Sequence, residues 1–234
     1  MKLIGLSLKT LENKILVGDL MKSISVYAFD PTQATGNNQT YNRNNVVIKE
    51  ICRDYYASYT TSVEFIDENY YISTDCDSNL FIFKSNLQSP NEAERFRISN
   101  HAQIHLSEHI NTTCQASLVS HQNHNSKKTF LFGSVTGYIG GLIEISNEEF
   151  TMLMELQKHM LQSMNGIVEC SNVEEWKRVV DVWKKLKSEN IIDGYIIEQY
   201  LNLSIEKQKE IAEQCHGHWK KYVEMIESIG HHFH

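Results

Sequence analysis

The sequence predicts a β plus α protein, in which about three blades of a β-propeller (WD-repeat-like) are followed by a small all-α C-terminal domain. Two observations lead to this prediction. One strand–turn–strand pattern occurs three times before residue 146, and helical periodicity replaces strand alternation after it. We therefore expect a partial propeller in residues 1–145, made of late blades of a larger propeller, and a helical domain in residues 146–234.

The repeated pattern consists of an apolar strand, a short break of polar or small residues, and a second alternating strand. Its three copies read LVGDLMKSISVY at 16–27, ISTDCDSNLFIF at 72–83 and LFGSVTGYIGGL at 131–142. A supersecondary unit that recurs at nearly constant spacing is the mark of a repeat fold. Each blade of a propeller is a small antiparallel sheet that buries its faces by packing on neighbouring blades.

Further strand patterns lie between the copies, and polar segments separate them. We predict strands at 4–8, 46–51, 61–66, 102–106 and 113–119, a turn at 67–69, and loops at 30–45, 85–94 and 121–128. Typical propellers close with at least four blades, and an open array of three would leave unpaired edges. Either this sequence is part of a larger propeller, which we favour, or another chain completes the ring.

The helical part contains clear helix-start signals. Ser146 and Glu149 have the spacing of a capping box and predict a helix that ends near residue 165. A second capping box at 171–174 predicts a helix containing Trp176, Val179 and Val180. We expect further helices near Asp193, after Ser204, and at 219–229, so that everything after residue 146 is helical.

Composition excludes several classes of protein. The formal net charge of −7 is unfavourable for binding a phosphate backbone, so we expect contact with nucleic acid to be indirect at most. The five scattered cysteines include no C-x-x-C pair and indicate reduced thiols in an intracellular protein. No segment is long and apolar enough to predict a secretory signal or a membrane span.

The chain contains one short pattern that suggests catalysis. His105, Glu108 and His109 match the H-x-x-E-H pattern of a class of zinc peptidases, which requires a helix and a third ligand. Here the pattern lies between two predicted strands, so we predict no metal, no cofactor, no catalytic residue and no enzyme activity. A zinc hydrolase that uses these three residues is the contrasting hypothesis.

Several longer segments have a specific resemblance. The segments ILVGDLMKSISVYAFD, RDYYASYTTSVEFID, IHLSEHIN, LFGSVTGYIG and IIDGYIIEQYLNLS resemble the C-terminal region of the damage-specific DNA-binding adaptors, the large adaptor subunits of cullin-RING ubiquitin ligases. The resemblance covers nearly the whole chain. The large splicing-factor 3b subunit and the large cleavage and polyadenylation subunit share the same domain.

The resemblance implies a scaffold in the nucleus, and also in the cytoplasm, with a role in DNA repair. In that family two propellers hold a helical segment of a substrate receptor, commonly a WD-repeat protein, and a middle propeller binds the cullin. The cullin-binding part has no counterpart in this sequence. The alternative function is that of a subunit of a pre-mRNA splicing or 3′-end processing complex with the same fold.

The resemblance also implies a set of partner-binding positions. An apolar and aromatic patch with a few amide groups suits an amphipathic helix that lies in a groove. Tyr59 stands where the family has tryptophan, His109 where it has phenylalanine and Thr112 where it has an aliphatic residue, so the expected pocket is more polar here. The expected partner-binding residues are Leu6, Leu20, Tyr59, Thr61, Asn79, Phe81, His109, Asn111, Thr112 and Val135.

Overall fold

A computed structural model describes residues 4–29, 48–116, 127–165, 179–180, 185–186 and 189–233. Three antiparallel sheets account for the first part of the chain and confirm the predicted class of fold. Their strands are β1 (Gly5–Leu11), β2 (Lys14–Asp19), β3 (Ser23–Phe29), β4 (Ile48–Arg53), β5 (Thr60–Phe65), β6 (Tyr70–Asp75), β7 (Asn79–Ser85), β8 (Ile98–His105), β9 (Ile110–Gln115), β10 (Thr129–Ser134) and β11 (Ile139–Ile143).

Each sheet is one blade, with its strands in sequence order from the inside outwards. Blade 1 has the order β1-β2-β3-β4, blade 2 has the order β5-β6-β7-β8, and the described part of blade 3 has the order β9-β10-β11. The inner strand β5 packs between the inner strands β1 and β9. The three blades therefore lie side by side around a common inner edge, as in a propeller.

The three sequence copies form the same hairpin in each blade. They coincide with the second and third strands of each blade, and the first position of each copy pairs with its eleventh position. The pairs are Leu16 with Val26, Ile72 with Ile82, and Leu131 with Gly141. The repeat read from the sequence is thus a structural repeat with one conserved register.

The core consists of apolar side chains buried between adjacent blades. Leu16, Val26 and Cys52 on one face of blade 1 belong to a cluster with Val63 and Tyr71 of blade 2. A second cluster joins blades 2 and 3 and contains Ile72, Leu80, Ile104, Ile110, Phe130 and Phe132. Blade stacking thus supplies the hydrophobic burial that a single twisted sheet lacks.

Four of the five predicted helix starts are found in the structure, those at Ser146, Asp193, Ser204 and residue 219. Its helices are α2 (Asn147–Asn165), α3 (Gly194–Glu198), α4 (Ile205–Gln214) and α5 (Trp219–Gly230), and they bury a core of their own that includes Leu156 and Tyr200. The amide of Glu149 donates to Ser146 Oγ at 3.3 Å, and the amide of Ser146 donates to Glu149 Oε2 at 2.8 Å, which confirms the capping box. Asp193 and Ser204 cap the next two helices.

The prediction of an entirely helical segment after residue 146 is wrong at one place. Val179–Val180, assigned from the sequence to a helix, form a short strand β12 that pairs antiparallel with β13 (Lys185–Leu186). The rest of that predicted helix, at 171–178, lies outside the described residues, as do the predicted loop at 30–45 and most of the loop at 121–128. The tertiary environment explains the difference, because β12 lies against β8 of blade 2.

Some element boundaries also differ from the sequence prediction. A one-turn helix α1 (Glu92–Arg95), capped by Asn91, occurs in the segment predicted as a loop. Strand β8 begins at Ile98, four residues earlier than expected, and β9 begins at Ile110 rather than near residue 113. None of the described helices is long and apolar enough to cross a membrane.

Candidate functional site

The same backbone hydrogen bond recurs in all three blades at one edge of the sheets. In each blade, the amide of the fifth residue of the copy donates a hydrogen bond to a backbone carbonyl. This carbonyl belongs to the residue directly before the inner strand of the same blade. The N–O distances are 2.9 Å from Leu20 to Ile4, 3.1 Å from Cys76 to Tyr59, and 2.9 Å from Val135 to His109. The hairpin turns and the first residues of the inner strands therefore share one edge, which we call the rim.

A polar side chain at the fourth position of each copy holds the turn. Asp19 Oδ1 accepts from the amides of Met21 and Lys22, and Ser134 Oγ accepts from the amide of Tyr138. In blade 2, Asp75 Oδ1 accepts from the amides of Asp77 and Asn79. Because the same position supplies the acceptor each time, the three turns present their exposed residues in a similar way.

Eight of the ten expected partner-binding residues lie at the rim. Leu6, Tyr59 and Val135 are 53%, 45% and 61% exposed, unusual values for large apolar side chains at adjacent strand ends. Asn111 and Thr112 at the start of β9 are also exposed, whereas Leu20, Thr61 and His109 are half-buried. The structure thus brings apolar, aromatic and amide groups of three successive blades to one surface.

The other two expected residues lie on β7 of blade 2, where Asn79 is buried and Phe81 is half-buried. Asn79 is fully buried, and its side-chain amide donates to Asp75 Oδ2 at 2.9 Å. Phe81 packs against the cluster between blades 1 and 2 and stacks on Phe83, with the ring centroids 5.6 Å apart. Neither side chain is part of the exposed rim surface, and Asn79 instead holds the turn beside it.

The interior position of Asp75 changes its acidity. Burial raises the pKa of the Asp75 carboxyl to about 6, although the hydrogen bonds that it accepts from Asn79 act in the opposite direction. His105 Nδ1 lies 3.1 Å from Asn79 Oδ1, and burial lowers the pKa of this imidazole, which favours its neutral form. The turn of blade 2 therefore contains a carboxyl group whose pKa is raised and an imidazole whose pKa is lowered.

The three residues of the H-x-x-E-H pattern each contact a different neighbouring residue in this structure. His105 ends β8 and contacts Asn79, whereas His109 lies beyond a turn with its Nδ1 3.3 Å from the carbonyl oxygen of Cys76. Glu108 accepts a hydrogen bond from Thr136 Oγ1. The pattern is not on a helix, and the described residues include no group of three or more His, Cys, Asp and Glu side chains with metal-binding geometry.

Polar contacts between the inner strands fix the rim of one blade relative to the next. Ser62 on β5 and Thr113 on β9 form a buried hydroxyl–hydroxyl hydrogen bond of 2.8 Å. The amide of Val63 on β5 donates to Ser7 Oγ on β1 at 3.1 Å. These contacts lie between strands that are not hydrogen-bonded through their backbones, so they set the spacing of the blades.

Two exposed rim residues were missed from the sequence. Met21, at the tip of the blade 1 turn, is 53% exposed, and Ile4, whose carbonyl accepts from Leu20, is exposed to a similar extent. An alignment of the three copies contains the signal, because Met21 follows Leu20 as Thr136 follows Val135. Residues at one position of the repeated turn occupy equivalent places on the rim.

The fold and the rim define a class of protein, namely β-propeller blades with an exposed apolar rim and an attached helical part. Residues 1–202 match the model of the CPSF A subunit region. The chain therefore belongs to this family.

Curated relatives are similar to nearly the whole chain. It is 29% identical over 214 residues to DNA damage-binding protein 1 of Oryza sativa subsp. japonica, an alignment that covers 90% of this chain and 18% of the relative. It is 27% identical over 230 residues to DNA damage-binding protein 1 of Solanum lycopersicum, and 28% identical over 230 residues to DNA damage-binding protein 1a of Arabidopsis thaliana. Both alignments cover 97% of this chain and 20% of the relative. The chain thus spans about a fifth of the length of these relatives.

Proposed function

We propose that this chain is the partner-binding part of a non-enzymatic adaptor, and that its rim binds a helical segment of a substrate receptor in a nuclear cullin-RING ubiquitin ligase linked to DNA repair. The observation that supports this proposal is the exposure of Leu6, Tyr59 and Val135 at the same edge of three adjacent blades. Large apolar side chains are rarely exposed together unless a partner covers them. The similarity to proteins named DNA damage-binding protein 1 supports the choice of complex.

The mixed chemistry of the rim favours a helix as the bound element. An amphipathic helix buries an apolar stripe in a groove and keeps its polar flanks hydrated. At the rim, Asn111 and Thr112 are exposed beside the apolar side chain of Val135 and supply hydrogen-bonding groups for such flanks. A WD-repeat receptor with an amphipathic helix at one end is the partner that we expect.

The second candidate function is that of a subunit of an RNA-processing complex. The observation that favours it is the family itself, whose description refers to the CPSF A subunit. In that case the same rim would bind another subunit of a splicing or 3′-end processing complex. Contact with nucleic acid would be indirect, because the net charge of −7 opposes binding to a phosphate backbone.

Gentle purification of the tagged protein from its own cells, followed by mass spectrometry, distinguishes the two functions. Recovery of a cullin together with WD-repeat proteins supports the ligase adaptor. Recovery of splicing or polyadenylation subunits assigns the protein to RNA processing. Recovery of neither group contradicts both proposals.

A further inference from the structure

The repeat identifies the face on which each blade receives the next one. In blades 1 and 2, the first, ninth and eleventh positions of the copy lie in the apolar cluster shared with the following blade. Their residues are Leu16, Ile24 and Val26 in blade 1, and Ile72, Leu80 and Ile82 in blade 2. Five of the six are fully buried, and the sixth is half-buried. These three positions therefore mark the receiving face of a blade.

The receiving face of blade 3 has the same three positions, and no described blade covers it. They are Leu131, Ile139 and Gly141, and Leu131 pairs with Gly141 across the hairpin. Ile139 is 71% exposed, whereas the equivalent residues Ile24 and Leu80 are 0% exposed. At the eleventh position, glycine stands where the other two blades have an aliphatic side chain. This face is therefore open at one position and lacks a side chain at another.

Phe233, close to the C-terminus, lies at the position of the missing side chain. A Cβ atom on Gly141 would collide with Cδ1, Cε1 and Cζ of the Phe233 ring. Gly140 faces the other way, and a Cβ atom there would collide with the ring of Phe132, which belongs to the cluster between blades 2 and 3. Gly141 stays exposed along the outer edge of β11, which pairs with no further described strand. The two glycines of β11 thus each contact one ring, and the ring on the receiving face comes from the helical part.

The end of α5 holds Phe233 in place. The amides of His231, His232 and Phe233 continue the turns of the helix, with N–O distances of 2.9, 3.1 and 2.9 Å to carbonyls of the preceding turn. Helix α5 itself buries Tyr222 and Ile226 in the core of the helical part. The Phe233 side chain is half-buried. The ring therefore lies between a hydrogen-bonded helix end and β11, and it joins the helical part to blade 3.

We propose that Phe233 is a latch: its ring takes the place of the side chain that Gly141 lacks, covers part of the receiving face of blade 3 and fastens the helical part to the propeller. Opening of the latch uncovers Leu131 and the backbone of β11, and it releases the end of α5. The contact has a sharp size limit, because any side chain at residue 141 excludes the ring. The latch uses no residue of the rim and does not depend on the proposed function.

The test compares three variants of the whole chain with the parent, namely Phe233→Ala, Gly141→Val and the two substitutions together. Phe233→Ala removes the ring and should lower the midpoint of thermal unfolding by about 2–5 °C. In the Gly141→Val chain the valine already displaces the ring and fills its place. Adding Phe233→Ala there should change the midpoint by less than about 1 °C, because the two substitutions act on one contact.

Hydrogen exchange gives a second readout that reports on the latch itself. The amides of residues 231–233 should exchange about tenfold faster in Phe233→Ala and in Gly141→Val than in the parent chain, because an open latch frees the end of α5. Gly133→Val is the matched control on the same face of β10, where a Cβ atom would meet only Thr112 Cγ2 at 3.5 Å. It should alter neither this exchange nor the effect of Phe233→Ala.

Two results overturn the proposal. One is an equal drop in the midpoint on adding Phe233→Ala to the parent and to the Gly141→Val chain. The other is exchange of the amides of residues 231–233 at the parent rate in Gly141→Val. The second result can be obtained even where Phe233→Ala does not fold, since it needs only the Gly141→Val chain.

Discussion

The ammonium group of Lys9 on β1 lies 2.6 Å from Glu64 Oε2 on β5 and donates to the carbonyl of Thr113 on β9 at 3.0 Å. One side chain of blade 1 thus contacts the inner strands of both other blades. The Glu64 side chain is nearly buried, whereas Lys9 is about one-third exposed. This ion pair joins strands that are distant in sequence and stabilises the spacing of the blades.

Replacement of Lys9 tests the importance of this contact for stability. Lys9→Met leaves the Glu64 carboxylate without its cation, and we expect the free energy of unfolding to fall by about 1–2 kcal/mol in urea titrations at pH 7. Adding Glu64→Gln should restore part of the loss, because no buried charge then remains unpaired. Equal stability of Lys9→Met and the parent chain would show that the pair contributes nothing.

Phe81→Glu should destabilise the fold, whereas Val135→Glu should weaken partner binding without destabilising the fold. Phe81 is half-buried against the cluster between blades 1 and 2, so a carboxylate there should destabilise the fold by about 1–2 kcal/mol. Val135 is exposed, so the same substitution should leave the unfolding midpoint within a degree or two while it weakens partner capture. Urea unfolding of both variants checks the first effect, and a stable Phe81→Glu variant would contradict the placement of Phe81.

Asp75 predicts a pH dependence of stability with a definite sign. Its pKa is raised from 3.8 to about 6 in the folded chain, so the folded state binds the proton more tightly than the unfolded state. The stabilising contribution of the protonated form is therefore complete below about pH 4 and is lost as the pH rises through 6, a change of roughly 3 kcal/mol. Urea titrations across this range should show the fall, and Asp75→Asn should remove it. A carboxyl titration of Asp75 near 4 by NMR would contradict the shift.

The capping box at the start of α2 should have a measurable effect on stability. Ser146→Ala removes the hydroxyl that accepts from the Glu149 amide, and we expect a loss of about 1 kcal/mol in the free energy of unfolding. Ser163→Ala is the matched control, because Ser163 is exposed near the other end of the same helix. Thermal unfolding of the two variants gives the comparison, and equal midpoints would argue against a role for the cap.

Much of the fold could be predicted because local signals and tertiary structure agree. The threefold pattern located each central hairpin, and the capping residues Ser146, Asp193 and Ser204 located three helix starts. The failures occur where tertiary contacts decide. Val179 follows a helical spacing in the sequence, yet its strand pairs with β13 and lies against β8. Helix α1 is too short for any periodicity.

The candidate site was less predictable than the fold. Strand alternation places polar residues outside, but Asn79 is buried because its amide completes the hydrogen bonding of Asp75. Phe81 occupies a position whose pattern fits either a groove or a core. Tyr56 and Phe96 line one groove because α1 lies beside the end of β4, and no spacing in the sequence records that contact.

The central claim is that the rim binds the partner, and one measurement tests it most directly. Tyr59→Glu, Val135→Glu and the matched surface control Tyr195→Glu are expressed as tagged proteins, and the co-purified WD-repeat proteins are quantified by mass spectrometry. We expect each rim variant to lose at least about tenfold in recovered receptor, since each adds a charge to the apolar surface, and the control to match the parent protein. Undiminished recovery with both rim variants would contradict the account.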